Sequence, residues 1–302
     1  MSVTDATQPL QERVAALSAA WPPGASLTDD LRPVASALVA DLVAALEAGT
    51  VRAASPDPAA AGGWRVNPWV KQGILTGFRI PGFRDYRDGE ILAARDRVSF
   101  GVQDILEGPG AHAAQQAGVP WRVVPGGTTV RSGAHLEPGV TIMPPAYVNV
   151  GAWVGRGTLV DSHALVGSCA QVGERVHLSA AVQVGGVLEP VGARPVVVED
   201  DAFVGGGCGL YDGVIVGRGA VLGAGVILTG QSRVVDLVEG REIQGTAESP
   251  LVVPPGAVVV PGSRPAGGAW AAANGIGLTV AVIVKRRDAG TDARIALEEA
   301  LR

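Results

Sequence analysis

Aromatic residues make up only 4% of this 302-residue chain, which excludes the usual core of aromatic rings packed on Leu and Ile. Cysteine is almost as scarce. Cys169 and Cys208 form neither a CxxC pair nor a cluster with metal-ligand spacing, so no disulfide scaffold and no metal site is expected, and a reducing cytoplasm suits the chain best. No run of about 18 apolar residues is free of Gly, Pro or charge, and the first thirty residues lack a basic start followed by an apolar stretch. A membrane span and a secretory leader are therefore not expected. The net charge is −5 and no long Lys/Arg run is present, so a nucleic-acid partner has no phosphate-binding footprint to use. A small-molecule partner fits better.

What the chain does have is 43 Gly, 21 Pro and 47% hydrophobic residues. That mixture describes a core of small aliphatic side chains with many tight turns. Residues 1–120 stand apart from the rest. Leu10, Val14 and Leu17, then Leu31, Val34, Leu38, Leu42 and Leu46, recur at three- and four-residue steps and predict two amphipathic helices. The Pro/Ala/Gly stretch from Ser55 to Gly63 reads as a surface loop, and Trp64 to Ile80 as either strand or helix. This segment is expected to be a small α/β cap.

From Val130 a six-residue period begins: Leu136, Ile142, Val148, Val154, Val160, Val166, Val172, Leu178 and Val184 follow without a break. If about a third of residues were aliphatic, ten successive hits would arise by chance with a probability on the order of 10⁻⁵. A small or β-branched residue stands four places after each of the first nine, as at Ala134, Ala152, Ala164 and Ala170. The period lapses between Gly185 and Val197, which predicts an inserted loop, and resumes at Val198, Val204, Leu210, Val216, Leu222, Leu228 and Val234. Hexapeptides of this kind coil into a triangular prism, three to a turn, with the aliphatic pointing inward and stacking on its equivalents 18 residues away. Glycines at the corners, such as Gly155, Gly167, Gly205 and Gly217, are expected to supply positive φ. Each coil buries its aliphatics only by stacking, so both ends need covers, and the cap and the C-terminal segment are expected to supply them.

The fold class is thus mainly β: a left-handed parallel β-helix over 121–265, preceded by the cap and followed by a strand and helix over 266–302. Val252 and Val258 are expected to face inward in a last partial turn, Leu278 to Val284 alternates as a strand, and a helix is expected from about Asp292 to Leu301.

With those residues laid out, the chain resembles the tetrahydrodipicolinate N-succinyltransferase family. The likeness lies in WRVVP (Trp121 to Pro125), YVNVGAWV (Tyr147 to Val154), LVDSHALVGSCAQVG (Leu159 to Gly173), VHLSAAVQVGGVLEP (Val176 to Pro190), VVEDDAFVG (Val197 to Gly205), GQSRVVD (Gly230 to Asp236) and AVIVKRRDA (Ala281 to Ala289). The resemblance implies a homotrimer with succinyl-CoA or another acyl-CoA as co-substrate and a small-molecule amine as acceptor, the two meeting in a cleft between adjacent prisms. It also implies that Arg122 clamps an acceptor carboxylate, as a planar guanidinium can. Asp161 is implied as the catalytic carboxylate and a substrate contact, orienting or deprotonating the reacting amine or its hydrating water. On composition alone Asp161 reads as a corner residue capping its own backbone. An ordinary carboxylate is a poor base for an ammonium, so orientation is the expected role.

Backbone amides at glycine-rich corners can face a thioester and a pantetheine arm. Gly185, Gly186, Gly205, Gly206, Gly207, Gly223 and Gly225 are the candidates, against the plainer reading that they only make turns. Arg233, with Lys285 and Arg286, is a candidate for the coenzyme A phosphates, or is a solvated surface charge. Glu189 and Arg194 in the inserted loop suggest an arm reaching a neighbouring subunit. His163 and His177 are weighed as substrate contacts; no three-histidine metal site is present.

One turn departs from the family pattern. Where the family carries a GARSE-like string, whose glutamate is the second catalytic carboxylate, this chain reads GGGCG, with Gly207 for the arginine and Gly209 for the glutamate. Cys208, Tyr211 and Asp212 are the nearby residues that could take over, although Cys208 stands at an inward-facing small position and reads first as a packed thiol. Three functions stay open: succinyl transfer to tetrahydrodipicolinate in the lysine and diaminopimelate pathway, acylation such as acetylation of a related amino acid in specialised metabolism, and a catalytically inactive β-helix serving as a scaffold.

Overall fold

The computed structural model describes residues 8–88, 92–246 and 248–292. From Arg122 onward the chain winds in two-residue strands, each paired in parallel with the strand one turn before and one turn after. Leu159, for example, lies between Thr141 and His177. Three faces result. The first carries Thr129, Tyr147, Leu165, Gln183, Gly209 and Ile227; the second His135, Trp153, Gln171, Val197, Ile215 and Val252; the third Arg122, Thr141, Leu159, His177, Phe203 and Val221. All seventeen periodic aliphatics are buried, and all of them belong to one continuous core. Burying each such side chain contributes about 1.5–3 kcal/mol, so no aromatic core is needed. Thr158, the one hydroxyl in the small-residue row among the first nine, is satisfied inside: its Oγ1 donates to Gly173 O at 2.8 Å and accepts from Val176 N at 3.0 Å.

The corner glycines are explained differently from the expectation. Positive φ falls three places after the inward aliphatic, at Gly207 for instance, and is taken there even by His163, Cys169 and Ala181. Glycines immediately after the aliphatic are needed for close approach between coils: a Cβ on Gly205 would lie 2.6 Å from Ala224 N.

The second interruption changes the register. Val216 pairs with Val253, one residue past two full turns of 18, so Val253 and Val259 are the buried residues of the last coil, whereas Val252 and Val258 are only partly buried. Val234 is buried, but its strand, Arg233–Asp236, leaves the prism. It pairs with Arg241–Gln244 and with the final strand Gly277–Arg286, which runs antiparallel along Ala257–Pro265. In that final strand Ala281 and Ile283 enter the core, while Leu278 and Val284 of the predicted stripe are exposed. Beyond Asp292, the predicted C-terminal helix lies outside the described residues.

In the cap, α1 (Leu10–Ala20) and α2 (Leu31–Glu47) match the predicted helices, and the Trp64 to Ile80 stretch resolves into a short strand, Trp64–Val66, followed by α3 (Pro68–Arg79). These helices pack against the prism, with Val150 and Cys169 inside their core. Ile105 of the cap and Trp121 pack on the prism core, and Trp121 Nε1 donates to Glu137 O at 3.0 Å. The inserted loop is held on its own chain: Leu188 packs into the cap core and the buried Lys71 donates through Nζ to Ala193 O. No described helix is long and apolar enough to cross a membrane.

Candidate active site

Because every third hexapeptide returns to the same face, residues far apart in sequence form columns. On the third face this builds a groove of about 650 Å³ lined by Arg122, Met143, Leu159, Asp161, His177, Ser179, Phe203 and Val221, with Ala180, Gly205, Gly206, Gly223 and Ala224 along the corner toward the first face. Arg122 stands two strands from Leu159, about 10 Å at the spacing of sheet strands.

Arg122 makes no ion pair or side-chain hydrogen bond with any described residue. Asp161 Oδ1 accepts from the N–H of Ser162 at 2.7 Å, which is the backbone-capping role composition suggests, and its second oxygen has no partner among the described residues. Two opposite charges therefore share a groove without neutralising each other. His177 is buried beside them and stacks on Phe203, with ring centroids 4.7 Å apart. His163 is exposed, at a positive-φ corner outside the groove lining.

The glycine corner is more selective than its sequence. The N–H of Gly205 donates to Leu222 O, that of Gly207 to Ala180 O, that of Gly223 to Val259 O and that of Gly225 to Gly206 O. These amides are spent on the coil ladder. The amides of Ala180, Gly206 and Ala224, stacked one coil above another in the groove wall, have no acceptor among the described residues. They are the backbone donors that sequence reasoning missed in part. Stepping by 18 residues from Ser162 to Ala180, then across the inserted loop to Gly206, would have found that column.

Other candidates lie elsewhere. Gly185 sits under the ring of Tyr211 and Gly186 against the backbone of Gly167 and Ser168, both away from the groove. Gly225 and Arg233 line a separate hollow of about 250 Å³, where Arg233 pairs with Glu242 at 3.1 Å. Lys285 pairs with Asp288 at 2.8 Å and Arg286 with the fully buried Asp236 at 2.7 Å. Burial pushes the Asp236 carboxyl up, but the bond from Arg286 and the amides of Glu239 and Val238 outweigh it and hold it below the usual carboxylate range. Arg194 lines a third hollow with Asp212. Cys208 is buried, donates to Gly223 O at 3.1 Å, and burial pushes its thiol up, as befits a packed core residue. No group of His, Cys, Asp and Glu among the described residues could hold a metal ion.

Comparison with known proteins agrees with this architecture. Residues 12–80 match the family model described as tetrahydrodipicolinate N-succinyltransferase N-terminal, and residues 195–230 match the hexapeptide repeat of succinyl-transferase. The chain is 43% identical to the 2,3,4,5-tetrahydropyridine-2,6-dicarboxylate N-succinyltransferase of Ruegeria pomeroyi over 97% of its own length and 98% of that protein. It is 44% identical to the protein of the same name from Granulibacter bethesdensis, over 85% and 86% of the two chains. For the Methylobacterium sp. (strain 4-46) protein the identity is 40%, over 95% and 96%.

Proposed function

Because the chain belongs to the tetrahydrodipicolinate N-succinyltransferase family, we propose that it transfers a succinyl group from succinyl-CoA to the amine that hydration of tetrahydrodipicolinate frees, a step toward lysine and diaminopimelate. The observation that carries this reading is the pair of uncommitted charges, Arg122 and Asp161, beside a column of uncommitted amides in one groove.

In this reading Arg122 holds an acceptor carboxylate by charge-assisted hydrogen bonds. Asp161, fixed by the Ser162 amide, accepts from the amine and orients its lone pair toward the thioester. Water adds to the ring imine and opens it to a ketone and a free amine. That nitrogen attacks the thioester carbonyl, an N–C bond forms, the C–S bond breaks, and the amine proton passes to the thiolate as coenzyme A departs with its thiol. The amides of Ala180, Gly206 and Ala224 donate to the thioester oxygen and the pantetheine arm, ready-oriented and needing no rearrangement.

The groove is open along one side, and Gly209 and Asp161 lie on different faces of one prism, so they meet only where two copies meet. A homotrimer in which the first face of one prism closes the groove of the next fits both facts. A cytoplasmic setting suits the two unbridged, buried cysteines.

A second reading, transfer of another acyl group or to a related amino acid, is favoured by one observation: Gly207 and Gly209 place no charge where the family carries two. Incubation with tetrahydrodipicolinate and either succinyl-CoA or acetyl-CoA, followed by free-thiol release, separates the readings. Release with succinyl-CoA is expected. Release with acetyl-CoA alone would favour the second reading, and none with either would leave the inactive scaffold.

A further inference from the structure

Gly209 stands in a strand, between Gln183 and Ile227, where the backbone would accept any residue. Its glycine identity has a local cause. A Cβ there would lie 2.7 Å from Tyr211 Cε2 and 3.0 Å from its hydroxyl, and a Cβ on Gly185, in the coil before, would lie 2.8 Å from Tyr211 Cδ1. One aromatic ring thus lies across two glycines and fills the space a side chain on Gly209 would take, whereas Gly185 is closed also by Leu210 O at 2.8 Å. The ring is held by that close fit, while the residue keeps 36% of its surface and its hydroxyl has no partner among the described residues. The other two residues near this turn are unsuited to face the same space. Cys208 is buried and bonded inside the prism, and Asp212 turns at φ 54° toward the hollow lined by Arg194.

The surroundings on this face are Gln183, Gly209 and the exposed Ile227, all uncharged. A carboxylate on position 209 could only accept a hydrogen bond and would repel an anion. A neutral phenol can donate one. The groove itself offers a single guanidinium, Arg122, for substrates that bring several carboxylates in the reaction proposed above.

We propose that Tyr211 is a specificity-determining residue whose phenol hydroxyl donates a hydrogen bond to a substrate carboxylate, with Gly209 kept bare to seat its ring. The inference rests on the acyl-transfer reading and on the trimer that brings the first face of one copy to the groove of the next.

Tyr211→Phe removes the hydroxyl and keeps the ring, so the melting temperature is expected to hold. Loss of one hydrogen bond to a charged group predicts a fall in kcat/KM of about tenfold or more, carried mainly by KM. If the carboxylate belongs to the acyl group, succinyl-CoA loses this factor and acetyl-CoA does not. If it belongs to the acceptor, the KM for tetrahydrodipicolinate rises with either donor. Kinetics of Tyr211→Phe equal to the parent's in both arms would overturn the proposal. Calorimetric titration with tetrahydrodipicolinate and with succinyl-CoA keeps it separate from the reaction itself. Should the parent bind but show no turnover, the acyl-transfer reading fails, and a roughly tenfold weaker titration of Tyr211→Phe would still uphold the tyrosine's role. Equal binding by both, or none by the parent, would refute it.

Discussion

At the C-terminal end of the prism the cations have carboxylates: Arg286 bonds the buried Asp236, Arg233 bonds Glu242 and Lys285 bonds Asp288. On the third face, a few coils away, Arg122 and Asp161 share a groove, and neither has an ionic partner among the described residues. The first arrangement holds a strand that leaves the prism against the final hairpin. The second joins no two elements: Asp161 only caps the N–H of Ser162 beside it. A charge whose partner is supplied by the fold is explained by the fold, whereas a charge left open in a concave, apolar-walled groove awaits a partner from outside.

The sharpest way to break this contrast is Asp161→Asn. Thiol release is expected to fall by about 10²-fold with the melting temperature unchanged, and a variant that unfolds instead would make Asp161 a structural cap. Arg122→Ala comes next. Loss of a charge-assisted contact to a carboxylate predicts a rise of about tenfold to a hundredfold in the acceptor's KM, again without loss of stability.

Asp236→Asn reverses the pattern. Breaking a buried ion pair whose arginine is partly solvated is expected to lower stability by about 2–3 kcal/mol in a denaturant titration, while turnover per folded molecule is retained. The same carboxyl gives a pH signature. Its folded value lies below its unfolded one, so its contribution is complete above about pH 3.9 and is lost as pH falls through the lower folded value. The variant is expected to lose that acid limb. The smallest effect belongs to Arg233→Gln, whose exposed pair with Glu242 contributes less than about 1 kcal/mol; a tenfold rise in the KM for acyl-CoA would instead make it a phosphate contact.

The prism was legible in the sequence because its core repeats every six residues, and Val130 to Val184 could be placed without any coordinates. Val234 is buried as its period implies, although its strand pairs outside the prism, but the pair Val252 and Val258 could not be placed. An excursion between coils can re-enter one residue later, and nothing in an apolar run such as Leu251 to Val253 marks which valine turns inward. The groove was half legible. Arg122 and Asp161 stood out by resemblance and do lie together, while the open amides of Ala180, Gly206 and Ala224 belong to residues with no telling side chain. Gly205, Gly207, Gly223 and Gly225 stand out in the sequence as glycines, yet their N–H groups serve the coils. In the sequence Tyr211 is only a neighbour of the altered turn; its ring over Gly185 and Gly209 is a relation between successive coils.

The most direct test is a crystal structure of the protein with coenzyme A and tetrahydrodipicolinate. An acceptor carboxylate on Arg122, its amine beside Asp161, and the pantetheine arm along Ala180, Gly206 and Ala224 are the predicted result. Density for both ligands away from the third face, with Arg122 and Asp161 untouched, would contradict it.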